Sequence, residues 1–505
     1  MAAPSSIPAT SVPVQSRHTA RASSTGGEGD SHARTASGTR IIANPVQDLT
    51  TGSLTRHLLK TTGYMLVTMV FQTLYFLIDL YWVGRLGKEA VAGVAIAGNL
   101  TFIVLAISQM LGVGVTTLVS HAAGQKDHRR ALLVFNQSQV LSMLVAIVFL
   151  VLAMALRIPY VNMLGADART EAMAASYLLW FIPAMALQFA MVAMGSALRG
   201  TGNFRPGMIV STASVIINML LAPFLIFGWV THAPFGVAGA AMSSLISVAI
   251  ATVWLTGYFL AKDSYLKFVL ADWKPQLGLW NKMLSIGLPA GAEFALMAVY
   301  LFIVYSVSRP FGSAAQAGFG IGLRIIQAGF MPVVALGFAV APVAGQNFGA
   351  KKPDRVRMTF RSAAAMASGV MLALMLLVLA GANGMVSFFS ADAQVIAVGS
   401  EYLRILSWTF VMSGVVFVGS SMFQAMGNTL PALIASFTRI VLVAVPAFIV
   451  ARMPAFELRW IWYLSVGAGL AQIVLHLTLL RREFGRKLRP LEAAVGAREN
   501  PALRT

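Results

Sequence analysis

The sequence contains no cysteine at any of its 505 positions, which excludes disulfides and thiolate metal sites. Acid is nearly as scarce, with 18 Asp and Glu against 37 Lys and Arg, and charged residues make up only 11% of the chain. So few polar side chains cannot cover a soluble globule of this length when 57% of the residues are hydrophobic and the mean hydropathy is +0.75. Catalytic constellations are missing as well. The seven histidines (His18, His32, His57, His121, His128, His232 and His476) are scattered, and no HExxH, Ser/His or paired-Asp arrangement occurs at membrane depth. No enzyme activity, no metal site and no cofactor is expected. No apolar run precedes residue 60, so a cleaved signal peptide is not expected either.

What the chain does have is spanning segments. A hydrocarbon core of about 30 Å is crossed by roughly 20 helical residues. Twelve apolar stretches of that order are separated by short polar breaks, with cores at 64–84, 91–119, 132–156, 173–198, 207–230, 236–260, 283–308, 314–344, 363–389, 397–426, 430–451 and 459–480. The expected fold is an all-α polytopic membrane protein.

The net charge of +19 could suggest a nucleic-acid partner, but its placement argues for a bilayer instead. Basic residues gather at "GQKDHRRA" after the second span, at Arg199 and Arg205 after the fourth, and from "YLKF" to "WNK" after the sixth. They gather again at "GAKKPDRVRMTFR" after the eighth span and "RREFGRKLRP" after the twelfth. By the positive-inside rule these even-numbered exits, and with them both termini, are expected in the cytoplasm. Residues 1–55 are rich in Ser, Thr, Pro, Ala and Gly, too poor in apolar side chains to fold, and are read as a disordered cytoplasmic tail.

The chain also repeats itself. Gly87 matches Gly312 at an offset of 312 − 87 = 225, and the same offset pairs Gly93 with Gly318, Gly112 with Gly337, and Gly124 with Gly349. Lys126 falls on Lys351, Arg130 on Arg355, Tyr177 on Tyr402 and Pro206 on Pro431. Shared membrane composition does not produce so many Gly, Pro and charged matches at one offset. Six spans per copy is an even number, so both copies enter from the same side, as parallel repeats about an axis along the membrane normal. The division expected is an N-lobe at 56–261, an inter-lobe linker at 262–281, a C-lobe at 282–485 and a C-terminal tail at 486–505. The repeated glycine segments 112–124 and 337–349 are read as close helix contacts ending in a tight turn.

Several segments resemble one family. "QTLYFLIDLYWVGRLG", "GVGVTTLVSHAAGQ", "LRGTGNFRP", "IINMLLAPFLIFG", "GLPAGAEF" and "ALGFAVAPVAGQNFGA" are similar to the multidrug and toxic compound extrusion (MATE) transporters, nearer their DinF-like branch, over about residues 56–485. The resemblance implies two six-helix lobes in a V shape in a bacterial inner membrane, monomeric, exporting cationic amphipathic small molecules in exchange for H⁺ or Na⁺. The alternative within the same superfamily is a flippase for a lipid-linked oligosaccharide or another amphiphile.

Two acids stand out. Asp79, in "FLIDLYWVG", is the one carboxylate in an apolar run, and an acid near a bilayer centre is costly unless it faces a bundle interior or a wet cavity. Its place resembles that of the acid in the family's helix-1 "LYNxxD" pattern, and the resemblance implies a proton or cation site, with Gln72 and Tyr75 as neutral neighbours. In the fifth span Asn218 is kept, but Ala222 stands where "NxxxDP" carries a second acid, and Tyr64 stands where relatives often have a proline that bends helix 1. The second lobe offers Glu293, about ten residues or 15 Å from the end of its span. Arg324 is its candidate static partner or a cavity residue, with Arg439 a further partner.

The charge asymmetry makes the loop at 345–361 cytoplasmic. Lys352→Cys in this cysteine-free chain should be modified by an impermeant thiol reagent only in permeabilised cells. Labelling in intact cells would reverse the topology.

Overall fold

The computed structural model describes residues 47–499 apart from 166, 230–233, 262–263 and 455, with the side chains of 494–499 also outside it. Residues 1–46 of the tail expected at 1–55, with His18 and His32, and also His232, therefore lie outside the described residues. Thirteen α-helices and two short 3-10 turns account for the regular structure there. In order they are α1 (Leu54–Gly84), α2 (Lys88–Gly124), α3 (His128–Leu164), α4 (Ala168–Gly200), α5 (Phe204–Phe227), α6 (Val237–Leu260), α7 (Leu277–Ser308), α8 (Gly312–Gly349), α9 (Pro353–Ser387), α10 (Ala393–Ser407), α11 (Phe410–Ala425), α12 (Leu430–Val450) and α13 (Arg459–Glu499).

Twelve crossings follow once one helix pair is counted as a single span. α10 and α11 meet at a 59° bend, and together they form the tenth crossing expected at 397–426. α7 and α8 are separate spans, parted by the 3-10 turn Arg309–Phe311 and by Gly312 at φ 84°. With Tyr64 in place of a proline, α1 runs unbroken from Leu54 to Gly84, because Tyr64 leaves its backbone N–H in the helical ladder.

α1–α6 form one lobe and α7–α13 the other, and the 225-residue offset is visible in the backbone. Among the described residues Lys126 and Lys351 are the two non-glycine residues with positive φ, at 59° and 56°, and both end the glycine segments in the same left-handed turn. Gly202 (φ 80°) and Gly427 (φ 70°) repeat the correspondence after α4 and α11. We call the end of the molecule carrying these turns the basic face.

The lobes meet along glycines. A Cβ on Gly114 would lie 2.5 Å from Met283 O, and one on Gly291 would lie 2.7 Å from Ala106 O, so α2 and α7 touch backbone to backbone. At the basic face the contact is reciprocal. A side chain on Gly124 would strike the Gln346 carbonyl, and one on Gly349 would strike the His121 carbonyl, where 346 − 121 = 225. His121 Nε2 then reaches Ala425 O at 2.6 Å and Gln346 Nε2 donates to Gly200 O at 3.0 Å, and 425 − 200 is again 225. These two hydrogen bonds are one bond drawn twice about the pseudo-two-fold axis.

Two neighbouring amides on α3 hold the segment between the lobes. Asn136 Oδ1 accepts from Val269 N and Trp273 Nε1, while its Nδ2 donates to Lys267 O. Gln137 Oε1 accepts from Gln276 N and Trp280 Nε1, and its Nε2 donates to Asp272 O and Lys274 O. Arg129 Nη2 pairs with Asp272 Oδ1 at 2.6 Å. The Arg129 hydrogen bond holds the Asp272 carboxyl below its usual 3.8, so this pair contributes at neutral pH and is lost as the pH falls below that value. Gln137→Leu strips four polar groups of their partner, at about 1–3 kcal/mol for each one left dry. Thermal unfolding in detergent should show a clearly lowered Tm for Gln137→Leu and a near-normal one for Gln139→Leu, whose side chain bonds only Ser138 among the described residues. Equal Tm values would mean the linker is not anchored this way.

Candidate ion and substrate sites

In the first lobe, Tyr75 on α1 and Asn218 on α5 converge on α6. Tyr75 OH lies 3.0 Å from Ser244 Oγ, and Asn218 Nδ2 donates to Ser244 Oγ at 3.1 Å and Ser243 Oγ at 3.2 Å. A hydroxyl-rich seam of α6 thus ties α1 to α5. Asp79 lies one turn beyond Tyr75, its Oδ1 buried and without a hydrogen-bond partner. No hydrogen bond joins Asp79 to Asn218 among the described residues. The two share a lobe interior, not a contact.

Asp79 is five residues from the end of α1, about 8 Å along the axis, and so nearer the face opposite the basic one than the middle of its helix. Ala222, at the position where relatives carry an acid, is 1% exposed and packs in an apolar cluster with Val83, Tyr177, Ile182 and Ile226. That cluster holds no charge to share with Asp79.

In the second lobe Glu293 sits in the middle of α7. Its Oε1 accepts from Ser420 Oγ of α11 at 3.1 Å and from Ser436 Oγ of α12 at 2.9 Å, and Gln472 of α13 extends the chain to Ser436 at 3.4 Å. Shifted by the repeat offset, Asp79 would fall at 304, and 304 − 293 = 11, so the two acids differ in depth by about 16 Å.

The static ion pair considered for Glu293 is not formed. Arg324 is exposed on α8 with no ion pair among the described residues, because helical rotation turns it away from the lobe interior that Glu293 faces. Arg439 instead lies 5.5 Å over the ring of Tyr300, its Nε buried and unpaired. Gln72 is exposed on α1.

The sequence reading missed the hydroxyl partners Ser243, Ser244, Ser420 and Ser436 and the glutamine Gln472. One signal pointed to Ser244 alone: Tyr75 and Tyr300 are 225 apart, and Tyr300 OH lies 3.3 Å from Ser465 Oγ on α13 while Tyr75 OH lies 3.0 Å from Ser244 Oγ on α6. Each lobe joins a tyrosine of its first helix to a serine of its last. The described residues hold no His, Cys, Asp and Glu cluster of metal-binding geometry.

Comparison with known proteins agrees with this architecture. The MatE family model matches residues 65–224 and again 289–449, two copies whose starts are 289 − 65 = 224 residues apart. The "Probable multidrug resistance protein YoeA" of Bacillus subtilis is 26% identical over 403 residues, 79% of this chain and 87% of that one. The "Multidrug export protein MepA" of Staphylococcus haemolyticus is 25% identical over 72% of this chain and 80% of its own. A "FAD transporter" of Shewanella oneidensis is 26% identical over 74% and 82%. Among solved structures, an outward-facing multidrug resistance MATE family transporter of the MOP superfamily superposes with a TM-score of 0.81 at 23% identity, covering 88% of this chain and 99% of that one. A MOP superfamily transporter from Pyrococcus furiosus, described as having a binding pocket of reverse polarity, gives 0.80 at 23% identity, covering 88% and 99%. With the family model covering well over half of the sequence in two copies, each on one lobe of the structure, the chain belongs to the MatE family and is a membrane transporter, not an enzyme.

Proposed function

We propose that this protein is a secondary active multidrug exporter that moves cationic, amphipathic compounds outward in exchange for H⁺ or Na⁺, by alternating access between its two lobes. The observation that carries the reading is the pair of carboxylates, Asp79 and Glu293, each inside its own lobe and neither in an ion pair among the described residues. A carboxylate in an apolar bundle is costly, and it is retained where it binds and releases a cation. Asp79 has no second acid beside it, so it works as a single site, with the Tyr75–Ser244–Asn218 seam one turn away. Glu293 has hydroxyls on two further helices, which suits the alternation of a proton with a desolvated cation. The names of the YoeA and MepA relatives support drugs as the substrate class. The flippase alternative has less support, since these relatives are named for drug and FAD transport and none for moving a lipid-linked sugar.

In the same reading the basic face is cytoplasmic and the membrane is a bacterial inner membrane. The lobes bounded at 56–261 and 282–485 are the working unit, active as a monomer, and the sequences before and after them are cytoplasmic tails.

Asp79→Asn keeps the shape and fixes the neutral form. In everted vesicles with pH and sodium gradients varied separately, it should reduce gradient-driven uptake of a fluorescent cationic dye at least tenfold at equal expression. Glu293→Gln is the matched test of the second lobe. If Glu293→Gln alone stops transport while Asp79→Asn is silent, coupling belongs to the second lobe. Normal transport by both variants would remove the carboxylates from the mechanism. Because one relative is a FAD transporter, flavin dinucleotide belongs beside the dye. Gradient-driven movement of the dinucleotide without the dye would refute the cationic substrate class.

A further inference from the structure

The composition of residues 47–53 reads as tail, yet they are packed into the basic face. Leu49 is 0% exposed and belongs to the core cluster with Leu54, Leu58, Val340, Val343 and Val356. Its backbone is held from α8: Leu49 N donates to Gln346 Oε1 at 3.1 Å, and Asn347 Nδ2 donates to Leu49 O at 3.1 Å. Lys352 Nζ donates to Thr50 O at 2.9 Å, and Arg355 Nη2 to Gly52 O at 3.1 Å. Of these two cations Arg355 is a repeated one, the match of Arg130 at the 225-residue offset, while Lys352 falls on Asp127. On the other side the segment lies against the first lobe, where a Cβ on Gly202 would be 2.8 Å from Gln47 O and 3.1 Å from Leu49 Cδ1. The segment is covalently part of the first lobe through α1, and most of its hydrogen bonds go to the second.

Gln346 joins the pieces. It is 1% exposed, and its amide donates across the seam to Gly200 O while accepting from Leu49 N. His121, its counterpart across the pseudo-two-fold axis, makes the seam bond to Ala425 but has no strap of its own. If residues 47–52 leave while the seam stays shut, Gln346 Oε1 loses its partner and Asn347 Nδ2 loses one of its two acceptors, an unfavourable outcome for polar groups held in a closed seam. If the seam opens, water supplies the missing partners. Strap release and seam opening therefore favour each other.

We propose that residues 47–52 form a strap across the basic-face gate, fastened by Gln346, and that the strap must detach each time the transporter opens to that face. The proposal rests on the alternating access inferred above, and its first test reads the seam itself without any transport.

Ser120, 0% exposed at the seam beneath Gly345, serves as the reporter in the form of Ser120→Cys. Its modification by a maleimide should be about tenfold faster when Leu49→Asp or Gln346→Ala is added, with Tm retained in at least one of the two. Unchanged labelling in a variant that keeps its Tm overturns the strap. In a second arm, Thr50→Cys and Lys352→Cys are bridged by a bifunctional, reducible methanethiosulfonate. Bridging should abolish dye transport and slow Ser120→Cys labelling, with both restored by reductant. Slowed labelling without any gradient-driven transport even in the unbridged protein would leave the gate standing and sink the exporter reading. Undiminished transport in the bridged protein would overturn the proposal.

Discussion

The structure depends on backbone meeting backbone across the seam between the lobes. In a bilayer the hydrophobic effect does not drive helix against helix, so association comes from close packing and from polar groups that have no water to turn to. Gly114, Gly124, Gly291 and Gly349 let the facing chains approach until a methyl group would collide. That proximity brings His121 and Gln346 to carbonyls of the opposite lobe. A side chain on any one of these glycines would force the facing helices apart.

Interhelical hydrogen bonds in membranes are worth about 0.6 kcal/mol on average. The seam is therefore held by several weak bonds rather than one strong lock, which suits the opening joint of the proposed cycle. The polar interiors of the lobes differ in kind. Around Tyr75, Asn218 and Ser244 the first lobe is bound by neutral groups, with Asp79 left over near the far face. In the second lobe the acid itself is the hub, tied to α11 and α12 through Ser420 and Ser436. A duplicated fold has placed one carboxylate in each half at different heights, so the halves are alike in architecture and unlike in chemistry.

The membrane class, the number of crossings, the duplication and the family all follow from the sequence, because they rest on composition, length and a period that survive without coordinates. Asp79 and Glu293 were legible for the same reason: a charge in an apolar run is conspicuous whatever the fold. Their partners were not, since a serine on a membrane helix looks the same whether it bonds its own backbone or a carboxylate two helices away. Whether Arg324 neutralises Glu293 turned on helical rotation, which spacing along one chain does not give. Residues 47–52 were the clearest gap. Their composition is that of a tail, and only the meeting of α8 with the end of α4 creates the pocket that orders them. Sequence determined what must lie in the membrane, because the cost of burial is local to each residue; tertiary structure decided which polar groups satisfy one another, because a hydrogen bond needs two partners that the chain holds hundreds of residues apart.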